Sequence, residues 1–161
     1  MSHGRNPMTS EMVVSKLYET VDSIRRERGD LLSWSGLLDA QRLEQWLSVL
    51  RRRPAVEAFE ALIGVFCNAN RPDSRYPDQE YAGRLLLSLN PPSPPDVQAV
   101  IKRTLPTWDV SVEQLPMYFE AAIGREAVLR ALDMLGSQGS SEQEQRAIET
   151  FRFWLRARRD T

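Results

Sequence analysis

Leu43-Glu44-Gln45-Trp46-Leu47-Ser48-Val49-Leu50-Arg51-Arg52-Arg53-Pro54-Ala55-Val56-Glu57-Ala58-Phe59-Glu60-Ala61-Leu62-Ile63-Gly64-Val65-Phe66 is the stretch that decides the fold. Leu43, Trp46, Leu47 and Leu50 recur at steps of three and four, which places them on one face of a helix. Pro54 breaks that helix because it has no amide hydrogen for a helix interior, yet its fixed φ suits a first turn. Behind it Val56, Phe59, Leu62, Ile63 and Phe66 repeat the helical spacing. Two amphipathic helices joined by so short a turn must pack against each other, so the segment reads as a helical hairpin.

The hairpin is echoed downstream. Leu43-Glu44-Gln45 returns as Val112-Glu113-Gln114, and Ala58-Phe59-Glu60-Ala61-Leu62 returns as Val128-Leu129-Arg130-Ala131-Leu132, with Val97-Gln98-Ala99-Val100 between them. This spacing suggests a helix pair repeated every 30 to 40 residues or so, the mark of a repeat architecture. Helices are expected at 9–28, 39–53, 54–66, 78–89, 95–104, 112–122, 125–135 and 141 onward. Thr9 or Ser10, Asp39 and Asp96 stand where helix starts need capping or first-turn residues, and Ser111/Gln114 and Ser141/Glu144 have capping-box spacing. Val14, Leu17, Val21 and Ile24 form the stripe of the first helix, which Gly29 ends. An apolar connector follows at Leu31, Leu32, Trp34, Leu37 and Leu38. Pro116 falls inside an expected helix, so it either kinks that helix or marks its true start. The core should include Trp46, Phe59, Phe66, Leu86, Ile101, Leu132 and Trp154.

Residues 68–77 hold Asn, Arg, Pro, Asp and Ser without apolar periodicity and form the longest expected loop in the body of the chain. A second loop surrounds Pro106, Trp108 and Asp109. Pro91-Pro92-Ser93-Pro94-Pro95 reads as a rigid helix start in preference to an SH3-type ligand. Residues 1–8 read as a flexible tail and 9–161 as one domain, a length that supports a hydrophobic core without metal or disulfide staples.

Composition narrows the function. Hydrophobic residues make up 42% and charged residues 27%, with a net charge of -1, so no global field draws the chain to nucleic acid or acidic membranes. No apolar run is long enough to span a bilayer, and a cytoplasmic location is expected. Cys67 is the only cysteine and stands beside Ile63 and Phe66, so it reads as a core thiol. The only histidine, His3, lies in the tail, which removes the usual general base and any triad built on one. There is no zinc spacing, phosphate-binding glycine loop or calcium-loop string, so no cofactor or metal is expected. Asp73, Asp78 and Glu80 are close enough in sequence to hold a divalent ion or to act as an acid/base pair, but they equally suit a solvated loop and helix start.

Arg25-Arg26-Glu27-Arg28, Arg51-Arg52-Arg53 and Arg156 with Arg158 and Arg159 close expected helices, where cations favour the negative end of the dipole. If helices running in the same sense bring them together, they would make a patch for nucleic acid, which is the alternative reading.

Pro116 in the first helix of a pair, and an alanine before a large apolar residue in Ala61-Leu62, Ala99-Val100 and Ala131-Leu132, resemble the pattern of HEAT-type and armadillo-type repeats. The resemblance implies an all-α fold: a short right-handed α-solenoid of antiparallel hairpins with seven or eight helices. Small bacterial HEAT-like proteins include adaptors and toxin-neutralising immunity proteins, so the resemblance implies a non-catalytic module whose partner is another protein. The candidate contacts are Arg71, Asp73, Arg75, Tyr76, Trp108, Asp109 and Tyr118, because arginine, tyrosine and tryptophan carry interface energy and most of these stand in loops. Tyr76 and Trp108 have a second reading, as lids folded onto neighbouring hairpins.

Overall fold

The computed structural model describes residues 8–28 and 40–157. Their regular structure is helical throughout: α1 Ser10–Arg28, α2 Ala40–Arg51, α3 Ala55–Phe66, α4 Arg75–Leu89, α5 Val97–Thr104, α6 Gln114–Ile123, α7 Arg125–Ser137 and α8 Glu142–Ala157, with one 3-10 turn at Pro72–Ser74. The protein is therefore all-α in its described residues. The expected stop at Gly29, the connector at 31–38 and the Asp39 cap lie outside them.

The helix starts follow local chemistry. Thr9 Oγ1 accepts from the Met12 amide at 3.2 Å, Asp96 Oδ1 from Ala99 at 3.1 Å and Ser141 Oγ from Glu144 at 3.2 Å, each satisfying an amide that has no intrahelical partner. Ser111 differs from expectation. Its amide and hydroxyl donate to Asp109 Oδ1 in a turn, and α6 begins at Gln114 with no side-chain cap. Pro116 sits in the first turn of α6, where its missing amide hydrogen costs nothing, so it marks the start.

Alternate helices run in the same sense. Asn68, just past α3, donates to Tyr18, and Arg71 reaches Asp22 one turn further along α1. Arg103 on α5 meets Glu60 on α3, and Thr107 beyond α5 meets Phe66 at the end of α3. Tyr118 of α6 donates to Pro91 beyond α4, while the start of α6 touches Gly83. By contrast α2 runs against α1, with Arg42 on Glu27 and Trp46 on Thr20.

Within this arrangement α4 is central and packs against α1, α2, α3 and α6. It is buried nearly all round from Pro77 to Leu86 although Asp78, Gln79 and Glu80 lie inside it. α4 and α5, expected as a hairpin, make little contact, because α5 lies against α7. Asn90 turns the chain out of α4 in a left-handed conformation (φ 48°), and the proline run that follows keeps it extended.

Of the expected core, Phe59, Phe66, Leu86, Ile101 and Leu132 are fully enclosed. Trp46 and Trp154 are only half-buried, each turning its indole N–H to a partner at the rim. Val13 is fully buried on α1 and the expected Val14 only partly so, packed against the same core, and Val56 is 70% exposed because α3 enters the core only from Ala58 onward. Met8, expected in the tail, packs against the core.

Candidate functional site

The loop expected at 68–77 is shorter than its composition suggests, since α4 already begins at Arg75 and Pro77 falls in its first turn. Arg71 precedes the 3-10 turn and is locked in place. Its guanidinium donates to Asp22 at 2.7 Å and to Asp78 at 2.8 Å and lies 4.5 Å over the Tyr18 ring. It ties α1 to α4. The hydrogen bond from Arg71 holds the Asp22 carboxyl below the usual carboxylate range, whereas burial raises that of Asp78 despite the same guanidinium. Glu80 is held separately by Arg84 at 2.9 Å, and Asp73 is exposed on the 3-10 turn. Asp78 and Glu80 are thus paired with different arginines rather than with each other. Among the described residues no group of three or more histidine, cysteine or acidic side chains is placed to hold a metal ion. Burial pushes the Cys67 thiol above its ordinary value, which keeps it protonated and a poor nucleophile.

The connection from α5 to α6 buries Leu105, Trp108 and Val112, so the backbone groups drawn in with them need partners. The Gln79 amide supplies two, donating to the Thr107 carbonyl at 2.8 Å and accepting from the Asp109 amide at 2.7 Å. Thr107 Oγ1 donates to the carbonyl of Phe66 at the end of α3, and Trp154 on α8 donates to the carbonyl of Val110 at 2.8 Å. Trp108 is turned inward. It packs edge-on against Phe151 at 5.4 Å and donates to Val112, which is the lid arrangement. Tyr118 is fully enclosed, its hydroxyl on Pro91 at 2.6 Å and its pKa raised by burial.

The expected site therefore divides. Arg71, Trp108 and Tyr118 are occupied by the fold, while Asp73 and Tyr76 are exposed and Arg75 and Asp109 are half-buried, the first three at the start of α4 or the turn before it and Asp109 in the α5–α6 connection. Tyr76 and Gln79 are three apart on α4 and so share a face, and Gln79 holds the Asp109 amide. The hydroxyl of Tyr76 has its pKa raised, first by burial and then by the carboxylates of Glu80, Asp109 and Glu113. The Nε of Arg75 is enclosed without a hydrogen-bond partner among the described residues.

From Asp109 the surface continues through residues that periodicity alone did not single out. Val110 is 41% exposed, the half-buried Trp154 is bonded to it, and Phe153, 55% exposed, meets the Trp154 ring at 5.2 Å. Tyr76, 38% exposed, is linked to this strip through Gln79, which holds the Asp109 amide, so α4, the α5–α6 connection and α8 each contribute to the edge. Periodicity gave no signal for it, since Trp154 has the helical spacing of a core residue and neighbouring helical residues can share a core, as Leu62 and Ile63 do.

The basic clusters do not converge with one another, although Arg25 comes beside this edge at Ser74 and Arg156 follows Phe153 by three residues on α8. Arg52 and Arg53 lie beside Thr9 and Ser10 at the start of α1, whereas Arg25 reaches Ser74 from its far end, about 20 Å away along the helix. Arg158 and Arg159 fall outside the described residues. Elsewhere a groove of about 820 Å³ runs between α1 and α3, with Val14, Ala61 and Gly64 among its lining residues and Glu60 and Arg103 beside them. Among the described residues no helix is long and apolar enough to cross a membrane. No protein-family model matches the chain, and no curated protein or solved structure matches it either.

Proposed function

We propose that this chain is a non-catalytic protein-binding module, a short α-solenoid whose partner lies along the edge formed by Tyr76, Asp109, Val110, Trp154 and Phe153. The observation that carries the reading is that the exposed Phe153 and the half-buried Trp154 join the exposed Val110, next to Asp109, whose amide is held by Gln79 one turn from the exposed Tyr76. Aromatic residues at the rim of a folded core are the residue types that dominate interface energies. The solenoid reading is supported by alternate helices that run in the same sense, and the HEAT-like resemblance adds an adaptor or inhibitor-type role by analogy.

Affinity capture with immobilised chain tests the reading through variants. A stoichiometric partner retained by the wild-type chain and by Arg52→Ala, but lost by Phe153→Asp and Tyr76→Ala, is the expected result. Loss with Arg52→Ala alone would move the contact to the start of α1 and end this assignment.

A further inference from the structure

Charge selects the kind of partner. The charges that act on the Tyr76 hydroxyl are the carboxylates of Glu80, Asp109 and Glu113 and the guanidinium of Arg84. Glu80 is neutralised by Arg84. Among the described residues the Asp109 carboxylate accepts only from the uncharged Ser111, and the Glu113 carboxylate, exposed at the start of α6, has neither a hydrogen bond nor an ion pair. Two carboxylates without a cation thus stand beside a partly exposed tyrosine ring, and the apolar side chains of Val110, Trp154 and Phe153 continue from them. An arginine or lysine over an aromatic face gains from the ring quadrupole, and a nearby carboxylate adds to the attraction. An acidic partner would meet like charge at the same place.

We infer that the partner segment is basic and amphipathic: an arginine or lysine docks on Tyr76 between Asp109 and Glu113, and flanking apolar residues lie on Val110, Trp154 and Phe153. The inference rests on the protein-binding reading of this edge and adds the chemistry of what binds there.

Two synthetic peptides test it, one alternating leucine with arginine and the other leucine with glutamate, titrated into isotope-labelled chain in dilute buffer while amide resonances are followed. Expected are saturable shifts at Tyr76, Asp109, Val110 and Glu113 with the arginine peptide only, fading at about 0.5 M salt. Tyr76→Leu should weaken binding by about two- to fivefold while Tyr76→Phe preserves it, since the ring and not the hydroxyl makes the contact. Glu113→Gln should weaken it more than the distant Glu126→Gln. Shifts spread over the whole acidic surface, with Glu113→Gln no worse than Glu126→Gln, would overturn the inference, and so would preference for the glutamate peptide. The two readings fail separately. A captured protein lost by Phe153→Asp but retained by Glu113→Lys in high salt would sink the basic partner and leave the edge standing.

Discussion

A guanidinium held between two carboxylates sets the sharpest residue-scale expectations. Arg71→Ala would leave the Asp78 carboxylate, only 5% exposed, without its cation and would unfasten α1 from α4. The expected cost is about 2 kcal/mol, near that of an ionic hydrogen bond lost at a part-buried site, and urea denaturation reads it. The two carboxylates respond to pH with opposite signs. Asp22, its pKa lowered by Arg71, contributes stability that is present above the unfolded value of about 3.9 and fades as pH falls through the folded value. Asp78, raised by burial, contributes in acid and loses that contribution as pH rises through its folded value. The destabilisation by Asp22→Asn should therefore shrink below about pH 4, while that by Asp78→Asn should grow there. Parallel trends in the two variants would contradict the assignment of Arg71 as a bridge that relieves one carboxylate more than the other.

Two glycines inside helices separate close packing from open surface at the scale of elements. A Cβ built on Gly83 of α4 would lie 2.7 Å from the Gln114 Cβ of α6, so Gly83→Ala must push these helices apart and should cost about 1–3 kcal/mol. Gly64 of α3 has nothing within 4 Å of such a Cβ because it lines the groove beside α1, and Gly64→Ala should add about 0.5–1 kcal/mol through helix propensity alone. Thermal melting of the two variants shifts in opposite directions on this account. Phe59→Ala, in the fully enclosed part of α3, should cost about 3–5 kcal/mol. How far the elements were legible depends on whether the determining forces were local. Pro54, Thr9, Asp96 and Ser141 act on their own helix ends, and those starts are readable from sequence. The sequence places the start of α4 three residues late, at Asp78, and does not show that Asp78, Gln79 and Glu80 are buried, since their partners are Arg71, Arg84 one turn on and the α5–α6 connection. The same limit hid half of the proposed edge. Trp154 has the spacing of a core residue, and only the carbonyl of Val110, 44 residues away, draws its indole to the rim.

On the scale of the whole molecule, the α5–α6 connection is where α3, α4 and α8 are joined. Thr107 holds the end of α3, Gln79 of α4 holds Thr107 and Asp109, Trp108 packs on Phe151, and Trp154 holds Val110. The edge therefore has a rigid backbone beneath it, which limits the conformational cost of binding there. It also means that Trp108, although it stands in a loop, is a poor probe of binding. Trp108→Ala removes a buried indole from a contact between two helices and a connection, so it should cost about 3–5 kcal/mol, a large share of the stability of a small domain. Any loss of partner after that substitution would follow from unfolding. Phe153→Asp changes an exposed side chain and should stay within about 0.5 kcal/mol of the wild-type chain. Denaturation curves for these two variants, measured before any binding assay, decide the matter. A Trp108→Ala variant as stable as the parent would mean that the connection is not packed against Phe151, and the rigid edge built on it would fall with that contact.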